Sequence, residues 1–379
     1  MIPSFLRAAC RAAFIPALAG AAEDAVLPEL PSWTTVVDVS LAAGYRDNLL
    51  LSPTRPEKSA LLAAAAEVMA LKVPVGAFDG YAYLDLSELR YLDGANTDHE
   101  RSVILAGEAR WQPGTVFRGG WTFQAYHQDQ VLDVSVTEAD LSVAQIRVTG
   151  LTTGPTVRWT PGPLWIEAKA GVRRDTYRED LDGYDDAEGG AGLGYTWGHG
   201  SELSATVLGR RRDHDSRQQF TVSGRPIAGT RLGTRQTDAQ LEWVQAFDAE
   251  KRLRLTATLA RQWSRDNGSG YFDYDRDTAR VRLAWRTADW EHDWEAEASR
   301  HLFPVQFVGV GINPDNRRKD EVRLAWSGLR RLRENLAVFV AVEREQSRSN
   351  DDRSRFTVNT VRLGVRMTWD SLATAGAAP

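Results

Sequence analysis

The stretch of sequence that decides the fold is residues 278–299, TARVRLAWRTADWEHDWEAEAS. In its first half every second residue is apolar and arginine occupies most of the positions between; in its second half carboxylates occupy those positions. A period of two is typical of a β-strand, because successive side chains point to opposite faces of a sheet. The segment Thr287-Ala288-Asp289 leaves room only for a tight turn, so this stretch predicts a β-hairpin with one apolar face and one charged face.

The same alternation recurs along most of the chain. Apolar residues occupy alternate positions in segments that begin at residues 35, 103, 191, 239, 253, 322, 336 and 361. Together with weaker segments, these give sixteen candidate strands between Thr34 and Trp369. Residues 60–71 are alanine-rich and could form a helix, and residues 141–160 are interrupted by glycine and proline. We interpret both segments as strands because their neighbours are strands.

Two all-β architectures fit such strands: a soluble sandwich with its apolar faces inside, or a membrane barrel with its apolar faces outside. The lengths of the connections favour the barrel. Short turns such as 112–114, 160–163 and 198–200 alternate with long polar loops such as 92–100 and 214–233. Up-and-down barrels of outer membranes have short periplasmic turns and long outer loops. The sequence therefore predicts an all-β fold, a transmembrane antiparallel β-barrel of about sixteen strands.

Aromatic residues beside the short turns support this prediction. The residues predicted to mark the membrane interface are Trp111, Trp159, Trp197, Phe247, Trp285, Trp290, Trp326 and Trp369. Tryptophan favours an interface at which one edge of its ring is apolar and the other is wet. The alternative, that tryptophan is simply common in strands, does not explain why these residues recur at one end of the hairpins.

The polar faces of the strands would line the interior of such a barrel. The charged residues predicted to line this lumen are Asp238, Glu242, Arg252, Arg254, Arg280, Arg282, Arg286, Glu291, Asp293, Glu295, Glu297, Arg323, Arg362 and Arg366. Arginines would face carboxylates across the 278–299 hairpin, and Asp238 and Glu242 would face the two arginines of the next strand. Such pairs either brace and hydrate the wall or create a transverse field that orients a polar solute.

The composition is compatible with this fold. The chain has 379 residues, 42% of them hydrophobic, and a formal net charge of −5. Its sequence has no run of about 18 apolar residues, which excludes a helical membrane protein, and the mild negative charge argues against a nucleic-acid partner. Residues 1–22 have the pattern of a cleaved secretory signal peptide, so we expect export. Residues 23–33 would form a short periplasmic segment, residues 34–369 the barrel and residues 370–379 a tail.

The sequence after the first strand resembles a known family. Residues 45–53, YRDNLLLSP, resemble the Tyr-x-Asp-Asn-(Ile/Leu)-x-x-(Ser/Thr)-Pro signature of outer-membrane β-barrel porins associated with exopolysaccharide synthesis and export. The matching residues are Tyr45, Asp47, Asn48 and Pro53. Residues 91–93 fit a Tyr-x-Asp strand ending of the same family, and the last strand resembles the signal that the barrel-assembly machinery reads.

The resemblance implies an outer-membrane barrel in contact with lipids and with the assembly machinery. It also implies a link to polysaccharide export, with polysaccharide and periplasmic export components as partners. It supplies no catalytic residues, and the chain lacks a Walker loop, a dinucleotide fingerprint and a His-x-x-x-His pair, so no cofactor is predicted. We therefore predict a non-enzymatic channel for polar solutes.

Several alternatives stay open at this point. A rim enzyme would use His214, which lies between Asp213 and Asp215 and precedes Ser216. The acidic loops around residues 180–186 and 266–277 carry oxygen ligands of the kind that suits calcium, and aromatic residues of the second loop could stack on sugars. A plugged structural or adhesin barrel is a further alternative to an open channel.

Overall fold

The structure is a computed structural model, and it describes residues 32–136, 143–178, 181–309 and 314–371. The predicted signal peptide, residues 1–22, lies outside the described residues. So do nearly all of the predicted periplasmic segment 23–33 and most of the predicted tail 370–379. The predictions made for these segments therefore stay predictions.

The described residues form sixteen β-strands in chain order. Their bounds are β1 Trp33–Arg46, β2 Ser59–Val75, β3 Phe78–Tyr91, β4 His99–Trp111, β5 Phe117–Asp133, β6 Val143–Trp159, β7 Leu164–Tyr177, β8 Tyr184–Trp197, β9 Ser201–His214, β10 Gly233–Ala246, β11 Leu253–Asp266, β12 Tyr274–Arg286, β13 Trp290–Val308, β14 Asp315–Arg333, β15 Leu336–Ser349 and β16 Phe356–Asp370. The two ambiguous segments are strands β2 and β6, as predicted.

The sheet closes on itself. Each strand pairs antiparallel with its neighbours in sequence, and β1 pairs with β16 from Val36 opposite Asp370 to Arg46 opposite Thr360. The predicted fold class, an antiparallel barrel of about sixteen strands, is thus confirmed. Closure matters because an edge strand would leave a row of backbone amides and carbonyls unpaired.

The two ends of the barrel differ, as the connection lengths predict. At one end the strands are joined by short turns, the shortest of which contain two residues, Gly76 and Ala77 between β2 and β3 and Glu334 and Asn335 between β14 and β15. Gly76 has a φ of 70°, in the left-handed region that glycine adopts without strain. At the other end lie the long connections, including residues 47–58 and 215–232. We call these the turn end and the loop end.

The exterior of the barrel is apolar. Large hydrophobic side chains at alternate strand positions are exposed, including Leu259 at 59% and Leu363 at 62%. The intervening positions point inward and carry most of the charge, as in the pairing of Arg280 with Glu297. No helix in the described part of the chain has the length and apolarity that a membrane span requires.

We expect a disulfide across the closing seam to form readily. Val39 lies directly opposite Met367 on β1 and β16. Opposed residues of an antiparallel pair have Cα atoms about 4.5–5.5 Å apart, within disulfide range. In a Cys10→Ser background, Val39→Cys with Met367→Cys should cross-link on oxidation and change the mobility of the denatured chain on a non-reducing gel.

The control pair is Val39→Cys with Val361→Cys. Val361 lies opposite Tyr45, six residues further along β1, which places it about 20 Å from Val39. Equal cross-linking of both pairs, or of neither, would contradict the register of closure.

Candidate channel lumen and its mouth

The inward charges of β12 and β13 form ion pairs. Arg280 lies opposite Glu297 and donates to it from Nε at 2.6 Å. Arg282 lies opposite Glu295 but donates from Nε to Asp293, its diagonal neighbour, at 2.8 Å.

The pairing continues on both sides of these contacts. Arg286 is 3.7 Å from Glu291, which also contacts Arg331 of β14 at 2.5 Å. Arg323 of β14 contacts Glu295 at 3.2 Å and Glu343 of β15 at 2.6 Å. Acid and base therefore alternate around the wall from β12 to β15, and each cross-strand pair contributes on the order of 0.2–1 kcal/mol.

The predicted pairing across β10 and β11 is wrong. Arg252 is not in a strand: it lies in the turn before β11, largely exposed, 3.3 Å from Glu250. Arg254 lies opposite Ala246, whereas Glu242 lies opposite Thr258 and Asp238 opposite Gln262. The reason is that residues of an antiparallel hairpin pair at equal distances from the turn, and this turn is centred near residue 250.

The two remaining predicted lumen residues, Arg362 and Arg366, lie on the inward face of β16, between the exposed Val361, Leu363 and Val365. The guanidinium of Arg366 lies 5.8 Å from the ring centre of Phe339.

Three carboxylates that the sequence analysis did not single out are directly opposed on β1, β2 and β3. Asp38 lies opposite Glu67, and Glu67 lies opposite Asp85. Their hydrogen-bond partners are hydroxyls: Thr368 donates to Asp38, and Tyr83 donates to Asp85 at 3.1 Å. The guanidinium of Arg366 on the adjoining strand β16 also attracts Glu67. Like charges placed directly opposite each other are unfavourable in a sheet. We call these three residues the acidic row. The signal was an acid at an inward position in three successive strands.

The loop end of the barrel is narrowed by the first long loop. Leu51 is buried in a cluster with Val131 of β5 and with Phe356 and Val358 of β16. Four strands separate β5 from β16 in the sheet, so a cluster that includes both must extend over the mouth. Leu49, also fully buried, packs against β2 and β3.

Polar contacts reach further across the mouth. β5 stops pairing with β4 at Asp129 but continues pairing with β6 as far as Asp133. Asp133 then contacts Lys319 of β14, with Oδ2 and Nζ 2.7 Å apart. Six strands separate β5 from β14 on one side and eight on the other, so this ion pair bridges nearly opposite walls.

Further contacts of β14 reinforce the Asp133–Lys319 ion pair. Lys319 is fully buried and also contacts Glu321 at 2.5 Å. Arg317, one inward position away on β14, donates to the backbone oxygen of Ser135 at 2.6 Å and to Ser354 at 3.0 Å. The mouth is therefore crossed by an apolar cluster beside a buried ionic contact.

The residues that carry the family resemblance hold this first loop in place. Asn48 is buried, donating to the backbone oxygens of Ser52 and Thr357 at 2.9 and 3.1 Å. Asp47 accepts hydrogen bonds from the backbone and side-chain amides of Asn359 at 2.7 and 2.6 Å. The loop that carries Leu49 and Leu51 is thus tied to β16.

The other two motif residues have different surroundings. Tyr45 lies on the exposed outer face of β1, and Pro53 is exposed in the loop. Neither contributes to the hydrogen bonds that hold the loop.

The rim residues proposed for an enzyme are not arranged as a catalytic relay. Ser216 Oγ donates to Asp182 Oδ1 at 2.7 Å rather than to His214, whose Nδ1 is 3.8 Å from the other oxygen of Asp182. Burial disfavours the charged form of Asp182, but hydrogen bonds from Ser216 and Arg217 outweigh it and lower the pKa of this carboxyl. A nucleophile must reach its base, whereas here Ser216 is hydrogen-bonded to a carboxylate and His214 Nδ1 has no hydrogen-bond partner among the described residues.

The acidic loops use their carboxylates internally. Asp266 accepts hydrogen bonds from the backbone amides of Gly268, Gly270 and Phe272, and Asp182 is occupied as above. Asp180 lies outside the described residues. Within the described part of the chain, no group of three or more acidic, histidine or cysteine side chains has the arrangement of a metal site.

The aromatic residues of the second acidic loop pack on one another. Tyr271 stacks on Phe220 with ring centres 5.5 Å apart, and a Cβ built on Gly224 would approach the Tyr271 ring within 3.0 Å. Phe272 is buried at the edge of the same pair. A sugar needs a free ring face for stacking, and this packing covers one face of Tyr271 and buries Phe272.

Seven of the eight predicted interface aromatics lie within two residues of a strand terminus at the turn end, whereas Trp326 lies outward on β14, seven residues before the strand ends. Six of them are largely exposed, namely Trp111, Trp159, Phe247, Trp285, Trp290 and Trp369, whereas Trp197 and Trp326 are partly covered. The structure adds Trp33, Phe78 and Phe117, which are exposed at the first residues of β1, β3 and β5.

The architecture is that of a closed, sixteen-stranded antiparallel barrel with an apolar exterior and a charged interior. No protein-family model and no curated protein matches the chain.

Solved structures with similar folds include the anion-selective porin from Comamonas acidovorans, at 10% identity, 89% coverage of this chain, 99% of that chain and a TM-score of 0.44. OprD from Pseudomonas aeruginosa is 11% identical, with 89% of this chain and 94% of that chain covered and a TM-score of 0.44. OmpT, an outer membrane protein of Vibrio cholerae, is 11% identical, with 91% of this chain and 100% of that chain covered and a TM-score of 0.44. The fold assignment rests on the strand pairing described above.

Replacing the buried lysine at the mouth should destabilise the barrel. Lys319→Met removes the cation between Asp133 and Glu321 and leaves two buried carboxylates without it. Breaking a buried ion pair costs about 3–5 kcal/mol. The measurement is the free energy of unfolding in urea, followed by circular dichroism in detergent micelles.

The matched control is Arg300→Met. Arg300 pairs with Asp320 on the exposed outer surface, so its loss should leave stability unchanged. Equal effects of the two substitutions would mean that the cross-mouth contact is not buried in solution.

Proposed function

We propose that this chain forms a channel for small polar solutes across the outer membrane of a bacterial envelope. The observation that carries the proposal is the division of side chains in a closed barrel, apolar outside and charged inside. A soluble barrel would place the same apolar side chains in its core. Membrane barrels place them against lipid and keep polar residues for a hydrated lumen.

The dimensions agree with such a location. A strand needs about 9–11 residues to cross a bilayer at a tilt of about 45°. The sixteen described strands contain 13 to 19 residues each, enough to cross and extend beyond the membrane at the loop end. The aromatic residues at the turn end would then lie at the periplasmic interface. We include in this proposal that the barrel-assembly machinery recognises the last strand, which ends near Trp369, and inserts the barrel.

The contacts at the mouth limit the size of the solute. Leu51 and the Asp133–Lys319 pair cross the loop end, so a solute must pass beside them or displace them. This favours small polar molecules. We propose transport rather than catalysis at the rim, because Ser216 is hydrogen-bonded to Asp182 and not to His214.

Export of an exopolysaccharide is a narrower form of the proposal. Its support is the resemblance of residues 45–53 to the porin signature, together with the hydrogen bonds by which Asp47 and Asn48 hold the first loop. A polymer would require that loop to move out of the mouth. Periplasmic export components would be the partners of the turn end.

Planar-bilayer recording of the refolded protein tests the channel. We expect discrete conductance steps from the natural sequence and larger or more frequent openings from Asp133→Asn, because the neutral amide weakens the bridge to Lys319. Glu250→Gln, in an exposed turn, is the control and should match the natural sequence.

Absence of conductance from all three proteins would contradict the channel and favour the plugged structural barrel.

Adding exopolysaccharide to the recording chamber tests the narrower proposal of polysaccharide export. Blockade that depends on polymer length would support export, and unchanged current in the presence of polymer would remove it.

The acidic row should make the channel prefer cations. Asp38, Glu67 and Asp85 place three carboxylates side by side on the lumen wall, whereas the β12–β15 wall pairs its acids with bases. Rings of carboxylates favour cation passage. The variant Asp38→Asn/Glu67→Gln/Asp85→Asn should shift the reversal potential in a salt gradient towards zero or towards anion preference. An unchanged reversal potential would show that the acidic row does not face the conducting path.

A further inference from the structure

We propose that the outer surface of β12–β14 at the turn end binds the phosphate of a glycerophospholipid. The site is built from His292 and Arg330 among four tryptophans. This inference rests on the proposed membrane location of the barrel, and it adds a specific ligand to a surface that would otherwise be a general contact with lipid.

His292 is the centre of the site. It points outward from β13, opposite Trp285 on one side and Gly328 on the other. Its imidazole is nearly parallel to the rings of Trp285 and Trp294, both with centres 5.3 Å away. The rings of Trp290 at 5.7 Å and Trp326 at 6.2 Å are also close to parallel with it.

Neither the strand propensity of tryptophan nor its preference for a membrane interface requires four tryptophan rings to lie nearly parallel to one histidine. Gly328 supplies the space for it, because a Cβ at this position would come within 2.9 Å of Trp326 and 3.3 Å of His292 Nδ1. That nitrogen is buried, so it is not itself open to a ligand, and it has no hydrogen-bond partner among the described residues. The cluster therefore holds a polar ring on an otherwise apolar surface.

The cation of the site is Arg330. It lies opposite Trp290 on β14, is exposed, and has its guanidinium carbon 5.3 Å from the Trp290 ring centre. An aromatic face at this distance orients a guanidinium while leaving its N–H groups free for an anion. Guanidinium is suited to phosphate because two parallel N–H groups match two phosphate oxygens.

The distribution of charge selects an anion over a cation. At the turn end of these strands the neighbouring carboxylates, Glu291 and Asp293, point inward and are paired with arginines. The outward carboxylates of the same strands, Asp275, Asp277 and Asp320, lie at the loop end. The exposed Asp289 lies in the turn before Trp290, and the strand surface around Arg330 itself is cationic and aromatic.

The position of the site selects a lipid rather than free phosphate. Towards the middle of the barrel the surface continues into the exposed side chains of Val281, Val322 and Leu324. A glycerophospholipid could place its phosphate on Arg330, its glycerol backbone among the tryptophans and its acyl chains on these aliphatic residues. Arginine near the interface of a membrane barrel costs little.

Native mass spectrometry of the full refolded chain in detergent tests this inference. The probes are phosphatidylglycerol and diacylglycerol with the same acyl chains. We expect one phosphatidylglycerol to be retained at collision energies that remove diacylglycerol. Arg330→Gln should weaken that retention about tenfold, because a neutral amide cannot replace the charge-assisted hydrogen bonds of the guanidinium to phosphate.

Arg300→Gln is the matched control, because Arg300 is also an exposed, outward arginine, on β13 at the loop end. It should retain the lipid as the natural sequence does. Equal retention by Arg330→Gln and the natural sequence, or equal retention of the two lipids, would overturn the inference. A dimer that Arg330→Gln dissociates would overturn it in favour of a second copy of the chain as occupant.

The two proposals can fail separately. Bilayer recording of Arg330→Gln should show the conductance of the natural sequence, because the residue lies outside the lumen. A protein that conducts but shows no Arg330-dependent retention would remove only the lipid site.

Discussion

The backbone hydrogen bonds between β1 and β16 are the interaction on which the rest of the structure depends. They join the first and last strands of the barrel and remove the two edges that an open sheet would leave unpaired. In a bilayer, where water cannot satisfy those groups, closure is a requirement and not a refinement. The motif residues Asp47 and Asn48 form hydrogen bonds to Asn359 and Thr357 just beyond this seam, so the same region also positions the first loop.

Closure sorts the side chains of every strand into two sets. One set faces outward and is apolar, and the other is confined to an interior in which charges must find partners or water. The arginines and carboxylates from β12 to β15 solve this problem by alternating around the wall. In the acidic row on β1 to β3, three opposed carboxylates lie beside one arginine, Arg366 of β16, that acts on Glu67, and this excess of acid gives the proposed channel an electrostatically uneven lumen.

The mouth shows how contacts distant in sequence control access to that lumen. The backbone oxygen of Ser135 accepts a hydrogen bond from Arg317, 182 residues later, and Asp133 reaches Lys319 from a strand that lies almost opposite in the sheet. These contacts form because the β5–β6 ribbon extends beyond β4 and crosses the opening. The buried Lys319, with its partners Asp133 and Glu321, fixes where the ribbon contacts the opposite wall, and removing one partner would weaken that contact.

The sequence by itself determined the strands, their number, the alternation of turns and loops, and which face of each strand is apolar. Most of these features follow from local periodicity, whereas the alanine-rich segment 60–71 lacks a clear period and is assigned correctly only from the strands around it. The sequence alone does not determine the register of strand pairing, because a shift of two residues keeps every side chain on its face and changes only its partner. That is why Arg254 was predicted to face an acid and lies instead opposite Ala246. Only the tertiary structure decided the acidic row, the bridge across the mouth and the cluster around His292, since each joins residues from strands that no local pattern places side by side.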